Sequence, residues 1–286
     1  MKSQSKLAQL SLRPYVQQYT YVEMESWDEL SHHHKLFTLG EQSLVFILSG
    51  SITCQPCEHV PFELPKASVV GPFSCKQTTK VSGPVKAFVV RLNTYGAYRL
   101  LGLSMDTVVN YYRDLLKIDF NFWQNICDSI SSARSFDEMI RLMDSSLIQK
   151  MQYHTCYLKE VDSMIHYMEM QKTVIDWDAM AKYFKTSRHT LERQFMEVTG
   201  LTPQMYCRIT RFTATMQQVH KLHTPAWRHV LAQNGYSSPS QFVKDFYYFG
   251  SNKNILATQK DRKPTMQISF RKIQQVAQSL YPAAAS

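Results

Sequence analysis

Two stretches in the second half of the chain decide its fold. Met180-Ala181-Lys182-Tyr183-Phe184-Lys185-Thr186-Ser187-Arg188-His189-Thr190-Leu191-Glu192-Arg193-Gln194-Phe195 is echoed 51 residues later by Leu231-Ala232-Gln233-Asn234-Gly235-Tyr236-Ser237-Ser238-Pro239-Ser240-Gln241-Phe242-Val243-Lys244-Asp245-Phe246. At that offset Ala181 matches Ala232, Ser187 matches Ser238, Leu191 matches Phe242, Arg193 matches Lys244 and Phe195 matches Phe246. A repeated apolar skeleton with a basic residue kept at one exposed slot is hard to obtain by chance. Each copy parses as helix, tight turn, helix. In the first, Asp176 is the N-cap, Trp177 to Phe184 the first helix, and Ser187 the cap of a second helix that ends near Gly200. Ala181 is small where the helices must cross closely. In the second, Pro225 starts a helix and Asn234-Gly235 makes the turn. Ser238 caps, and Pro239 stands at the first helical position, where a missing N–H costs nothing. Phe242, Phe246 and Phe249 then point inward.

This geometry is the helix-turn-helix, whose second helix enters a major groove; the plain alternative is an αα-hairpin that binds nothing. Between the copies, Pro203 to Lys221 contains no further Gly or Pro and reads as one helix. Its 19 residues would span ~28 Å, approaching the ~34 Å between major-groove faces one turn apart.

Charge agrees. The 286-residue chain carries a net charge of +9, and residues 151–286 hold 17 Lys+Arg against 9 Asp+Glu, whereas residues 1–150 hold 15 against 14. A basic half joined to a neutral half points to a polyanion-binding domain attached to something else. The length fits two domains. The apolar runs, such as Ser43 to Leu48, fall far short of the ~18 residues of a membrane span. The opening Met1 to Val16 has no apolar signal region, and six scattered Cys read as reduced thiols. The expectation is a cytoplasmic protein.

Residues 12 to about 103 read as short strands between Gly/Pro signals: Leu36, Phe37 and Leu39; Leu44 to Leu48; a turn at Ser49-Gly50-Ser51 and then Ile52 to Cys54; Val69-Val70; and Ala87 to Val90. From Ser104 to Met151 the spacing becomes helical. Trp123, Ile126 and Ile130 share one face, Ser135 to Glu138 is a capping box, and Met139, Leu142, Met143, Leu147 and Met151 form a stripe. The expected class is α+β: residues 1–152 form a β-rich sensory or dimerisation domain with helices near 104–151, and residues 153–286 form an all-α domain with two helix-turn-helix motifs and a tail.

Ser187 to Phe195 running into Thr199-Gly200-Leu201-Thr202-Pro203-Gln204-Met205-Tyr206, then Arg208 and Arg211, and Gly235 to Phe246, resemble the AraC family of bacterial transcription regulators over about residues 156–250. The resemblance implies one unit with two motifs reading adjacent major-groove segments, and an amino-terminal cupin-like barrel that binds an effector or dimerises. Leu12 to Val16 and Tyr95 to Leu103 look like an uncharacterised sensor type attached to this family. The family usually continues with a Pro after the second motif; here Gly250 leads into Ser251-Asn252-Lys253 instead. Lys244 stands where Arg is common, so guanine readout there loses the rigid fork. The tail from Lys260 lies outside the resemblance. Phe270, Ile273, Val276, Ala277 and Leu280 would form a short amphipathic helix packed on the DNA-binding domain.

The candidate DNA-binding residues are Arg188, His189, Glu192 and Arg193 in the first reading helix and Pro239, Ser240, Gln241 and Lys244 in the second. The resemblance assigns base contact to His189, Glu192, Arg193, Pro239, Ser240, Gln241 and Lys244. Arg193 could grip guanine O6/N7, and Gln241 suits adenine. Lys182, Arg208 and Arg211 are candidates for phosphate or structural roles.

His32-His33-His34 and Cys54-Gln55-Pro56-Cys57 are the residues that could hold a metal. Consecutive His on a strand alternate between faces, and no second Cys pair follows at zinc spacing. They read as a surface loop and structural thiols, with a metal or redox sensor as the alternative. No nucleophile elbow, phosphate loop or metalloprotease motif appears, so neither an enzyme nor a cofactor is expected. The leading reading is a transcription regulator whose partners are double-stranded DNA, a small-molecule effector and a second copy of itself. The alternative is a cupin-like metal enzyme or small-molecule binding protein with a helical module that binds no DNA.

Overall fold

The computed structural model describes residues 2–25, 36–57, 59–153, 159–171, 176–221 and 227–250, with residues 273, 274, 276 and 277. Strands β1 (Lys2–Leu7), β2 (Val16–Met24), β3 (Gln42–Pro56), β4 (Phe62–Glu63), β5 (Ala67–Val70) and β6 (Gln77–Leu92) come first. Helix α1 (Gly96–Leu101), strand β7 (Tyr112–Asp114) and helices α2 (Phe120–Ser132) and α3 (Phe136–Tyr153) complete the first half. The second half is helical: α4 (Lys159–Gln171), α5 (Trp177–Tyr183), α6 (Arg188–Thr199), α7 (Pro203–Lys221), α8 (Trp227–Gln233) and α9 (Pro239–Phe249). The architecture is α+β, an antiparallel sheet domain followed by helices.

The sheet runs β1-β2-β6-β3-β5-β7, with β4 on β3, and every pair of neighbours is antiparallel. The turn expected at Ser49-Gly50-Ser51 is a bulge inside one strand. Gly50 takes φ +70° and the register slips between Ile47 and Ser51, yet β3 continues through Ile52 to Pro56. A Cβ at Gly50 would lie 2.8 Å from the Pro84 carbonyl. A glycine with positive φ can thus bend a paired strand as readily as reverse it.

Four other expectations are corrected. Leu36, Phe37 and Leu39 form no strand, apart from an isolated bridge from Leu39 to Phe73. Lys2–Leu7 is a strand ahead of the expected start, exposed at every residue and so without an apolar alternation to reveal it. Gly96–Leu101 is a helix inside the stretch read as β, and Tyr112–Asp114 a strand inside the stretch read as helical; both are too short for their period to show.

One sheet face buries Tyr19, Leu44, Phe46, Phe88 and Val90 against Trp123, Ile130, Met143 and Leu147 of the trailing helices. The other face gathers Val22, Val45, Ile47, Ile52, Val81, Val85 and Val89 in a cluster to which none of α1–α9 contributes. Leu36, Phe37, Leu64 and Phe73 from the connecting segments join that cluster and help cover its apolar surface, whose exposure would cost about 25 cal/mol per Å². The pairing path is left open between β1 and β7 among the described residues. The capping box opens α3: Ser135 Oγ accepts from Glu138 N–H at 3.2 Å, and Glu138 reaches back to Arg134 N–H at 2.7 Å.

The two halves meet at the end of α6. Gln42, 1% exposed, donates from Nε2 to Thr94 O at 2.8 Å and to Thr199 O and Val198 O at 3.3 and 3.4 Å. Its Oε1 accepts from Ala97 N–H at 3.2 Å. Arg99 of α1 pairs with Asp162 of α4, and Tyr98 donates to Glu197 at 3.2 Å. Gly200 ends α6 at φ +76°, where a Cβ would lie 2.7 Å from Met105 O and 2.9 Å from Pro72 Cγ. Gly200→Ala therefore combines a left-handed backbone with a clash against the first half. It should cost about 1–3 kcal/mol, measured by urea unfolding of the full chain.

Candidate nucleic-acid interface

The structure resets the register of the repeat. Helices α5 and α8 begin at Trp177 and Trp227 and have seven residues each. Thr186 N–H donates to Ala181 O at 3.0 Å, as Tyr236 N–H does to Leu231 O at 3.0 Å. The left-handed turn residue is Lys185 (φ +53°) in one copy and Gly235 (φ +77°) in the other. Up to this point the offset is 50; from the caps Ser187 and Ser238 onward it is 51. The second copy holds one more residue between the left-handed position and the cap. Ala181 is therefore equivalent to Leu231, both buried, and the expected Ala181–Ala232 match fails: Ala232 is exposed. Helices α6 and α9 themselves keep the expected match.

The caps stand where the sequence puts them. Asp176 accepts from Asp178 and Ala179 N–H at 3.1 and 3.0 Å. Ser187 Oγ accepts from Thr190 N–H at 3.1 Å, and Ser238 Oγ from Gln241 N–H at 3.3 Å. In α6, Leu191, Phe195 and Val198 are buried; Arg188, His189 and Arg193 are exposed and Glu192 half-exposed. Arg188 Nε pairs with Glu192 Oε1 at 2.8 Å, and that bond holds the Arg188 guanidinium above its ordinary range.

In α9, Phe242, Phe246 and Phe249 are buried, Pro239 and Lys244 are exposed, and Ser240 and Gln241 are half-buried. Gln241 Oε1 already accepts from Ser237 N–H and Oγ, both at 3.1 Å. A bidentate contact to adenine needs both ends of that amide, so the cap and such a contact compete. Val243, buried, takes the slot of Glu192, so α9 has no acidic counterpart there. Lys182 is exposed at the end of α5.

Arg208 and Arg211 have structural partners. Both reach from α7 to Asp245, a carboxylate only 2% exposed. Arg208 donates from Nε at 3.0 Å and Nη2 at 2.8 Å, Arg211 from Nη2 at 3.4 Å, and Tyr236 from its hydroxyl at 3.2 Å. The Arg208 guanidinium also lies 5.1 Å from the Tyr248 ring centre, and that of Arg211 4.3 Å from Tyr236. Burial, reinforced by Asp245, pushes the Tyr236 hydroxyl well above the usual range. Asp245, Tyr236 and Gln42 are the residues that sequence reasoning missed. The one available signal was an acidic residue between Phe242 and Phe246 in a basic half.

Ile273, Val276 and Ala277 are buried in the same core as α6, α7 and α9, as expected for the tail, whereas Phe270 and Leu280 lie outside the described residues. So do His32, His33 and His34. No three metal-ligating side chains gather among the described residues. Cys54 is buried, and burial pushes its thiol up to about 12. No described helix is long and apolar enough to cross a membrane.

Asp245→Ala should cost about 3–5 kcal/mol in urea unfolding, because it strands the largely buried Arg211 guanidinium. Lys185→Gly should gain up to about 1 kcal/mol by relieving the left-handed strain that Gly235 avoids.

Residues 5–114 match a family model described as a domain of unknown function (DUF6597). No curated protein matches the sequence significantly. Among solved structures, the fold is similar to ToxT from Vibrio cholerae O395, at 12% identity and a TM-score of 0.42, over 87% of this chain and 100% of that one. It is also similar to apo ToxT from Vibrio cholerae strain SCE256, at 11% identity and a TM-score of 0.44, over 88% of this chain and 99% of that one. A further similarity is to the AraC-like transcriptional activator CuxR, at 10% identity and a TM-score of 0.25, over 80% and 91% of the two chains.

Proposed function

We propose that this protein is a sequence-specific DNA-binding transcription regulator of the AraC type. On this reading residues 153–286 bind DNA, and residues 1–152 sense an effector or dimerise. The observation that supports it best is the pairing of α6 with α9. Each starts at a serine cap and exposes Arg193 or Lys244 at the same slot within the helix, and each buries its other face in one core spanned by the continuous helix α7. Surface cations beside exposed helix N-termini suit phosphate and major-groove edges. The +8 balance of residues 151–286 supplies the field.

The effector would enter a cavity of about 500 Å³ between the sheet and α7, lined by Thr38, Thr94, Tyr95, Tyr206, Thr213 and Gln217 among others. Polar groups from both halves line it, so an occupant there would bias how α7 sits on the sheet. Such a regulator acts in the cytoplasm and is not an enzyme.

The test is binding of the purified full chain to DNA fragments selected from a random pool. Arg193→Ala should lose about 1–3 kcal/mol on the selected site and relax preference at one base pair. Lys244→Ala should lose less and lower the salt slope by about one contact. Equal loss on selected and random DNA for Arg193→Ala would show that it holds backbone only. No loss for either variant would remove α6 and α9 from the grooves.

A further inference from the structure

Helices α6 and α9 share a backbone plan but not a surface chemistry. From their serine caps onward they match at an offset of 51, so each outward slot of α6 has a counterpart in α9. Arg188, exposed, corresponds to Pro239, which has neither an N–H nor a polar side-chain atom. His189, exposed, corresponds to the half-buried Ser240. Glu192, half-exposed, corresponds to Val243, which is buried. Gln194, half-buried, corresponds to Asp245, whose oxygens already accept from Arg208, Arg211 and Tyr236. At the slot of Arg193 and Lys244 both helices expose a cation.

Gln241 is the amide side chain of α9, and its Oε1 is taken by Ser237 N–H and Oγ, both at 3.1 Å. What remains is the Nε2 donor. A lone donor fits adenine N7, guanine N7 or O6 and thymine O4 alike, so it does not tell those bases apart. Discrimination needs a matched donor and acceptor or an Arg fork, and α9 contains no Arg. Lys244 carries a compact charge on a flexible stem, which meets phosphate oxygens as readily as guanine. Pro239 offers carbon alone, a single apolar touch for a thymine methyl. In α6, by contrast, Arg193 has the fork for guanine O6/N7, Glu192 an acceptor for cytosine N4, and His189 two ring nitrogens. The Arg188–Glu192 pair at 2.8 Å lies at the surface, where an ion pair contributes little, so it yields easily to DNA.

We infer that direct base readout rests on α6, through His189, Glu192 and Arg193, and that α9 is a sequence-tolerant clamp on the phosphate backbone. The inference rests on the DNA-binding reading above and goes further, because it fixes the form of the target site. The base pairs under α6 are specified. The segment one helical turn away, held through Lys244 and Ser240, is not, apart from at most one thymine beside Pro239. The seat of α9 suits that role: Asp245 fastens it to two arginines of α7, a firm platform for a contact that must hold whatever the sequence.

The test selects sites for the full chain from a random DNA pool, maps the protected backbone with hydroxyl radicals, and measures affinity with either block of the site replaced. The expected result is one specified block whose replacement loses at least about tenfold in affinity. A second protected segment should lie about 10 base pairs away. Replacing that segment should change affinity by less than about threefold, below the cost of one mismatched base pair. Arg193→Lys should erase a guanine preference in the specified block while leaving the salt dependence unchanged, since the charge is kept. Gln241→Ala should leave the selected sequence as it was. Two specified blocks one turn apart, or a block whose preference answers to Gln241→Ala or Lys244→Ala, would overturn the inference while upholding DNA binding. Absence of the second protected segment would overturn the clamp. No binding of any fragment at low salt would remove the DNA-binding reading itself, and the inference with it.

Discussion

A single buried carboxylate sets the geometry of the second helix-turn-helix. Asp245 sits on α9 between two core phenylalanines, and its oxygens accept from two arginines of α7 and from Tyr236 in the turn before α9. Taking one charge out of water costs several kcal/mol, and its partners repay that only with good geometry and full hydrogen bonding. Here four donated hydrogen bonds converge, so α9 has one favourable seat on α7. The guanidinium faces that also cover Tyr236 and Tyr248 reinforce the seat. Arg208 and Arg211 direct their charge inside the domain, whereas Arg188 and Arg193 of α6 and Lys244 of α9 are exposed.

Helix α6 is fastened differently. A helix leaves its last carbonyls without intrahelical partners, and Gln42 of the sheet domain supplies an amide to Val198 and Thr199. Gly200 then lets the chain turn against Met105 and Pro72 without a side chain in the way. The far end of α6 is thus completed by the first half of the protein, while its Arg188–Arg193 end faces solvent. The Gln42 amide thus links the sheet directly to the last carbonyls of α6. The two helices close alike at their cap glycines, Gly200 N–H on Met196 O and Gly250 N–H on Phe246 O.

The N-terminal sheet shows where local pattern stops being informative. Gly50 and Gly83 look like turn signals, and each is a positive-φ residue inside a long strand, because the partner strand stays hydrogen-bonded on both sides of it. The two cysteines of the motif at Cys54 likewise part company: Cys54 is buried on β3, and Cys57 lies exposed just beyond the strand with its backbone N–H on Lys76 O.

The sequence alone determined the α+β class with its sheet region ahead of the helices, the helix caps at Asp176, Ser187 and Ser238, the inward faces of α6 and α9 and the packing of Ile273, Val276 and Ala277. All of these follow from periodicity and from backbone groups that must find a partner within a few residues. Tertiary structure alone decided that the repeat changes offset at its turns, that Asp245 holds two arginines, that Gln42 completes α6, and that Gln241 is engaged by its own cap. Each of these depends on which distant groups a buried polar atom meets. A sequence records the cost of leaving such an atom unpaired, and only the packed chain shows where its partner comes from.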